Sequence, residues 1–201
     1  MRLTAALKEW AVAIEALQQG KTIMLLRKGG IRESGGGFHV DRQRILLYPT
    51  YEHQKPELLK SEYADQVTPV ESGWHPETVK ITAWAEITDI LTLETKNNHN
   101  LQLTELSPFH IWHDLMVSDR LKWKPHQPLY ILLLRTYKLP QPEVISYSSA
   151  YGGCRSWIDL AQPISLQGSL PVLDETQYQD LVTNLKSKTR FLLNTRYDRV
   201  V

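Results

Sequence analysis

Hydrophobic and polar positions follow two different rhythms along this chain. Near the start, Leu7, Trp10, Ala11, Ile14 and Leu17 recur at spacings of three and four, which places them on one helical face. Thr4 stands at an N-cap position and Gly20 at a C′ position, so the pattern predicts an amphipathic helix over about Thr4 to Gln19. From Lys21 to Lys28 the rhythm changes. Ile23-Met24-Leu25-Leu26 is continuous instead of alternating, the pattern of a strand buried on both faces. Gly29-Gly30 breaks it, and Gly35-Gly36-Gly37 breaks the chain again before Phe38-His39-Val40. Arg44 to Pro49 repeats the buried-strand pattern around Ile45-Leu46-Leu47. A short helix is predicted from Pro56, since proline is tolerated in a first turn.

Asp65 to Thr78 holds Pro69, Gly73 and Pro76 with few aliphatic side chains, and reads as a linker. Beyond it Val79, Ile81, Ala83, Ala85 and Ile87 alternate with Lys80, Thr82, Trp84 and Glu86, which predicts a strand. Asn97-Asn98-His99-Asn100 between two leucine-rich runs predicts a hairpin turn. Ser107-Pro108 opens a predicted helix carrying Phe109, Trp112, Leu115 and Met116. Leu129 to Tyr137 is the strongest central-strand candidate, and a Pro- and Ser-rich loop follows it to Tyr151-Gly152-Gly153-Cys154. Asp174 and Gln177 have capping-box spacing ahead of a helix that carries Tyr178, Leu181, Val182 and Leu185 on one face.

These elements predict an α+β fold. An N-terminal helix–strands–helix unit (1–64) packs with a mixed, mainly antiparallel β unit (79–165) across the linker (65–78). A C-terminal extension with an amphipathic helix (166–201) completes a chain that also reads as one composite domain.

Composition narrows the function classes. The chain has 201 residues, 42% hydrophobic and 22% charged, which are globular values. The formal net charge is +1, so bulk charge does not draw it to nucleic acid, and any such contact needs a local patch. Cys154 is the one cysteine, which excludes an internal disulfide and fits a reducing compartment. Lys8, Glu9 and Glu15 interrupt the first apolar segment, and Ile131–Leu134 is short, so neither reads as a signal peptide or a membrane span. The expectation is a cytoplasmic, soluble protein with no membrane partner.

Five blocks taken in order carry a family resemblance. They are Lys8-Glu9-Trp10-Ala11, Leu26 to Glu33, Tyr48 to Gln54, Arg120 to Pro125, and Tyr151 to Trp157. Together they resemble a bacterial family described as domain of unknown function 1802. The resemblance implies a cytoplasmic bacterial protein of similar size, and it brings no activity with it.

Several constellations have chemical content. Arg27 and Lys28 end a strand beside glycines, the makings of an anion site, although no P-loop pattern is present and the glycines equally serve as a turn. The predicted helix, strand, strand, strand, helix, strand order resembles the core of restriction-endonuclease-like enzymes. In that comparison Glu33, Asp41 or Glu52 would hold Mg²⁺ or Mn²⁺, with His53 as general base. The required acid-x-Lys triplet is missing, because Gln54 stands where its lysine belongs. His110, His113 and Asp114 have helical spacing for two metal ligands, on a helix that must also bury Phe109 and Trp112. Cys154 between glycine and arginine has the setting of a lowered thiol pKa, and equally that of a small buried residue. Arg120, Lys122, Lys124, His126, Arg135 and Lys138 interleave with Trp123 and Tyr130, the makeup of a single-strand-binding surface or of a solvated rim around core aromatics.

The leading expectation is an electropositive groove that binds nucleic acid, a nucleotide or another phosphate-bearing ligand. Its ligand-binding residues are Arg27, Lys28, Arg120, Lys122, Lys124, Tyr151 and Arg155. The alternatives are a divalent-metal-dependent phosphodiester hydrolase using Glu33, Asp41, Glu52 and His53, and a protein-interaction scaffold.

Overall fold

The computed structural model describes residues 1–27, 33–34, 37–38, 42–93, 104–122, 129–153 and 155–189. In chain order the elements are β1 (Arg2–Trp10), α1 (Ala11–Gln18), β2 (Met24–Arg27), β3 (Glu33–Ser34), β4 (Gly37–Phe38) and β5 (Arg44–Thr50). Next come α2 (Ser61–Ala64), β6 (Thr78–Leu93), α3 (Asp114–Lys122), β7 (Leu129–Ser146), β8 (Trp157–Ser165), β9 (Leu170–Pro171) and α4 (Glu175–Thr189). Short 3₁₀ turns occupy Pro56–Leu58, Thr104–Phe109 and Ser149–Tyr151. The fold is α+β, as the patterning predicts. No helix among the described residues is long and apolar enough to cross a membrane.

Seven strands form one mixed sheet in the order β2-β7-β6-β5-β1-β8, with β9 also paired to β7. Strands from both sides of 65–78 therefore share a sheet. β1 and β5 run parallel, and the other pairs of this sheet are antiparallel. Both faces are buried. Leu7, Ile45, Leu47, Ala83, Ala85 and Ile87 join a large core with α1, α3 and α4. Ala6, Leu46, Tyr48, Val79, Ile81 and Trp84 point the other way, into a second core closed by β8 and Leu139. The continuous run Ile45-Leu46-Leu47 is thus divided between the two cores by the period-two alternation of a strand.

The opening segment departs from its predicted helix. Arg2–Trp10 is a strand, and only Ala11–Gln18 is helical. Ala5, Ala6 and Leu7 are all buried between β5 and β8, and three consecutive buried positions suit an interior strand. Gly20 does end α1. It takes φ +68°, its N–H donates to Leu17 O at 3.1 Å, and Lys21 N–H donates to Ala16 O at 2.9 Å, a Schellman closure.

The helix predicted from Ser107 is a second correction. A 3₁₀ turn ends at Phe109 and α3 starts only at Asp114. Between them Lys60 N–H donates to Ile111 O and His113 N–H donates to Leu58 O, so partners outside the helix take its backbone groups. Leu115, predicted on the apolar face, is exposed. The hairpin predicted around Asn97–Asn100 lies outside the described residues. The capping box of α4 forms as predicted: Gln177 N–H donates to Asp174 Oδ1 at 2.8 Å and Asp174 N–H to Gln177 Oε1 at 3.1 Å.

Candidate functional site

The C-terminal ends of the parallel pair β1 and β5 organise the site. The register sets Lys8 beside Tyr48, Glu9 beside Pro49 and Trp10 beside Thr50. Alternation then sends Glu9 to one side of the sheet and Lys8 to the other.

On the first side, Glu9 is buried and pairs with one arginine, with a second close by, each from a distant element. Arg27 Nη2 lies 2.9 Å from Glu9 Oε2 and donates to Lys8 O at 2.7 Å. Three strands separate β2 from β1 in the sheet order, which in a flat sheet means about 19 Å. The contact therefore requires the sheet to curl. Arg120, on α3, donates from Nη1 to Leu26 O at 3.4 Å. Burial pulls its pKa below the usual guanidinium range; Glu9 opposes this and neighbouring Arg27 adds to it. Arg27 is thus paired with Glu9, and Arg120 lies within electrostatic reach of both. The Arg27 Nε–H is buried with no hydrogen-bond partner among the described residues.

Glu9 also holds local structure. Its Oε1 accepts from Trp10 N–H at 2.8 Å. Gln54, buried at the end of the Tyr51–Gln54 turn, accepts from Val12 N–H at 3.2 Å through Oε1. A side chain 42 residues away therefore caps α1, whose own N-cap residue Trp10 offers none. The Trp10 ring meets Trp112 edge-on at 5.0 Å.

On the second side, Lys8 Nζ donates to Tyr151 O at 2.6 Å and to Gly153 O at 2.8 Å. The Tyr151-Gly152-Gly153 turn therefore wraps a lysine. A Cβ at Gly152 would stand 2.8 Å from Tyr147 Oη and 3.2 Å from Ser149 O, so a larger residue there would have to displace the tyrosine hydroxyl. The Tyr151 side chain is core: its ring meets Tyr48 at 5.8 Å and its hydroxyl accepts from Ala161 N–H at 2.9 Å. The Tyr48 hydroxyl is buried without a partner among the described residues, and burial, with Tyr147 and Tyr151 nearby, pushes it up to about 12.

The outer rim is built by Glu52. Its Oε1 accepts from Gly73 N–H at 2.6 Å and Ser72 Oγ at 3.2 Å, and lies 3.3 Å from His53 Nε2. The Gly73 bond, with His53, Ser72 and Lys8, holds this carboxyl below its ordinary pKa. His53 adopts φ +64°, rare for a residue with a Cβ. The pinned loop sets Trp74 edge-on to Tyr51 at 5.9 Å and stacks His75 on Tyr147 at 3.6 Å and 9°.

Around the β1 and β5 ends the structure places Arg27 and Arg120 on the Glu9 side of the sheet, and Glu52, His53 and the Tyr151 backbone on the Lys8 side. Lys122 is exposed, 3.9 Å from Asp119, and Arg155 is exposed on the turn before β8. Glu33 lies on the β3–β4 hairpin. Lys28, Asp41, Lys124 and Cys154 lie outside the described residues, as do Trp123 and His126. The basic strip divides. Arg135 turns away to pair with Glu175 and lies 5.6 Å from the Tyr137 ring, and Tyr130 is buried. The nuclease-like order also changes, since the chain opens on a strand. The pair His110 and His113 does not share a helix. His110 is buried near Lys60, and burial with that ammonium pulls it down to about 4. Among the described residues, no group of three or more His, Cys, Asp or Glu is placed to hold a metal ion. Sequence reasoning missed Trp74, His75 and Tyr147 as rim residues and Gln54 as a cap. The dipeptide Trp74-His75 inside a stretch otherwise poor in large side chains was the available signal.

Comparison with known proteins supplies a family and a distant fold likeness. Residues 6–184 match the family described as Domain of unknown function (DUF1802). No curated protein matches the chain. Among solved structures, ASCH from Zymomonas mobilis matches with TM-score 0.44 at 14% identity, over 89% of this chain and 93% of that one. A tyrosine-to-phenylalanine mutant of that protein gives 0.44 at 13% identity, over 89% and 96%. A serine-to-alanine mutant gives 0.43 at 13%, over 89% and 94%.

Proposed function

This chain belongs to the DUF1802 family, and we propose that it binds nucleic acid or a phosphate-bearing nucleotide at the ends of β1, β2 and β5. One observation carries the reading: Arg27 is paired with the buried carboxylate of Glu9, and Arg120, bonded to Leu26 O on a separate element, lies within electrostatic reach of both. Two guanidiniums against one carboxylate leave a net positive charge in a partly desolvated place, where an anion is held more strongly than in open water. The hydrolase alternative has less support, because Glu52 is engaged by Gly73, Ser72 and His53.

The test is fluorescence anisotropy with a labelled oligonucleotide from about 50 to 200 mM salt. Binding is expected to weaken linearly on a log–log plot. Arg120→Gln is expected to lower both the affinity and the slope, the slope by about 0.7 for a lost single-strand phosphate contact. No binding at low salt, or an unchanged slope in a variant that still folds, overturns the reading.

A further inference from the structure

The aromatic rim on the Lys8 side has no task in the phosphate reading. Tyr51 and Trp74 are 37% and 45% exposed. Glu52 fixes the loop through Gly73 and Ser72, and the two rings meet at 86°. His75, stacked on Tyr147, extends this surface from the next residue. Two exposed aromatic side chains packed edge-on against each other are an unusual use of surface, since most other aromatics among the described residues are buried or half-buried.

The surrounding charge indicates which part of a ligand fits there. Glu52, Glu71 and Glu77 stand around the loop, against Lys8 and His53. Such a setting does not attract a phosphate, but it accepts an uncharged planar group. The cations that suit a phosphate are Arg27 and Arg120. Trp10 pairs with Thr50 at the end of the β1–β5 ladder and Tyr51 is the next residue, so the two regions adjoin around the end of the sheet, the arginines on its Glu9 side and the rings on its Lys8 side. A chain molecule alternating charged links and flat uncharged groups spans both.

We infer that Tyr51 and Trp74, extended by His75, form a stacking platform for unpaired bases, and that the ligand is single-stranded nucleic acid. This rests on the phosphate-binding reading above. In a duplex the base faces are occupied by their neighbours, so the platform adds nothing to duplex binding. On a single strand the faces are free, and stacking on an aromatic ring contributes about five- to a hundredfold in affinity per base.

The experiment compares a labelled ten-nucleotide single strand, the matching duplex and inorganic tripolyphosphate, against the full chain and its Trp74→Ala, Tyr51→Ala and Trp74→Phe variants. The single strand is expected to bind more tightly than the duplex. Trp74→Ala and Tyr51→Ala are each expected to weaken the single strand about tenfold, with duplex and tripolyphosphate unchanged, while Trp74→Phe retains most of the affinity. Both rings are exposed, so thermal midpoints should move little, and Tyr51→Ala stands alone as the test if Trp74→Ala fails to fold. Single-strand affinity that survives both alanine changes, or an equal loss on the duplex, overturns the platform and leaves the phosphate reading standing. Absence of oligonucleotide binding to the unaltered chain at low salt overturns both.

Discussion

Replacing Glu9 by Gln tests the charge arrangement directly. The side chain keeps its shape, and its Oε1 can still accept from Trp10 N–H. Its other oxygen becomes an NH₂ facing Arg27 Nη2, now donor against donor, at a contact of 2.9 Å in the native pair. Glu9 and Arg27 side chains are only 8% and 14% exposed, so water cannot compensate freely. At an effective dielectric constant of about 20 and a charge separation of about 4 Å, the lost attraction is about 4 kcal/mol. Removal of one partner from a buried pair generally costs about 3–5 kcal/mol, so about 3 kcal/mol of destabilisation is expected. With a urea m-value of about 2–3 kcal/mol per molar, the midpoint should fall by about 1 M or more at unchanged m. The double variant Glu9→Gln/Arg27→Met should recover much of the loss, because no buried guanidinium then faces an uncharged amide. A Glu9→Gln loss under about 1 kcal/mol, the value of a surface pair, would refute the reasoning. So would a double variant no better than the single one. The same Glu9→Gln protein, held folded at low temperature, should bind oligonucleotide more tightly, because the competing carboxylate is gone.

Two further predictions concern the framework. His110 keeps its proton off until about pH 4 when folded, against about 6.5 when unfolded, so the unfolded chain takes up the proton first as pH falls. Stability should therefore drop between about pH 6.5 and 4, by up to about 3 kcal/mol, and His110→Phe should lose that component of the slope in urea titrations. Equal pH slopes in the two proteins would remove His110 as its source. Gly20→Ala should destabilise by about 1–2 kcal/mol, since φ +68° is unfavourable with a Cβ and that Cβ would stand 2.9 Å from Leu173 Cδ2. A thermal midpoint at or above that of the unaltered chain would contradict this.

Much of the scaffold was legible because its signals are local. The run Ile45-Leu46-Leu47 indicates burial on both faces, and the two cores divide it accordingly. Asp174 and Gln177 indicate a capping box from a spacing of three. The first helix was half illegible for a physical reason. Ala5, Ala6 and Leu7 have high helix propensity, but β5 and β8 supply ladder bonds on both sides of them. Similarly, the 110–113 segment meets Leu58 and Lys60, so its backbone is satisfied without a helix.

The site divides along the same line. Local patterning picked out Arg27, Arg120, the Tyr51–Gln54 turn and Tyr151 as candidates, alongside Lys28, Lys122, Lys124 and Arg155, but read Lys8-Glu9-Trp10 only as part of a helix and of a family block. Turn chemistry, charge and short apolar runs follow from a residue and its near neighbours. Tertiary structure alone decided that Lys8 lies inside the turn formed by residues 151–153, that Gln54 caps α1, and that Arg27 crosses to Glu9. It also decided that a linker-like tryptophan stands beside Tyr51. Those contacts depend on sheet order and curl, which are set by burial of two cores at once, and no local window of sequence carries that information.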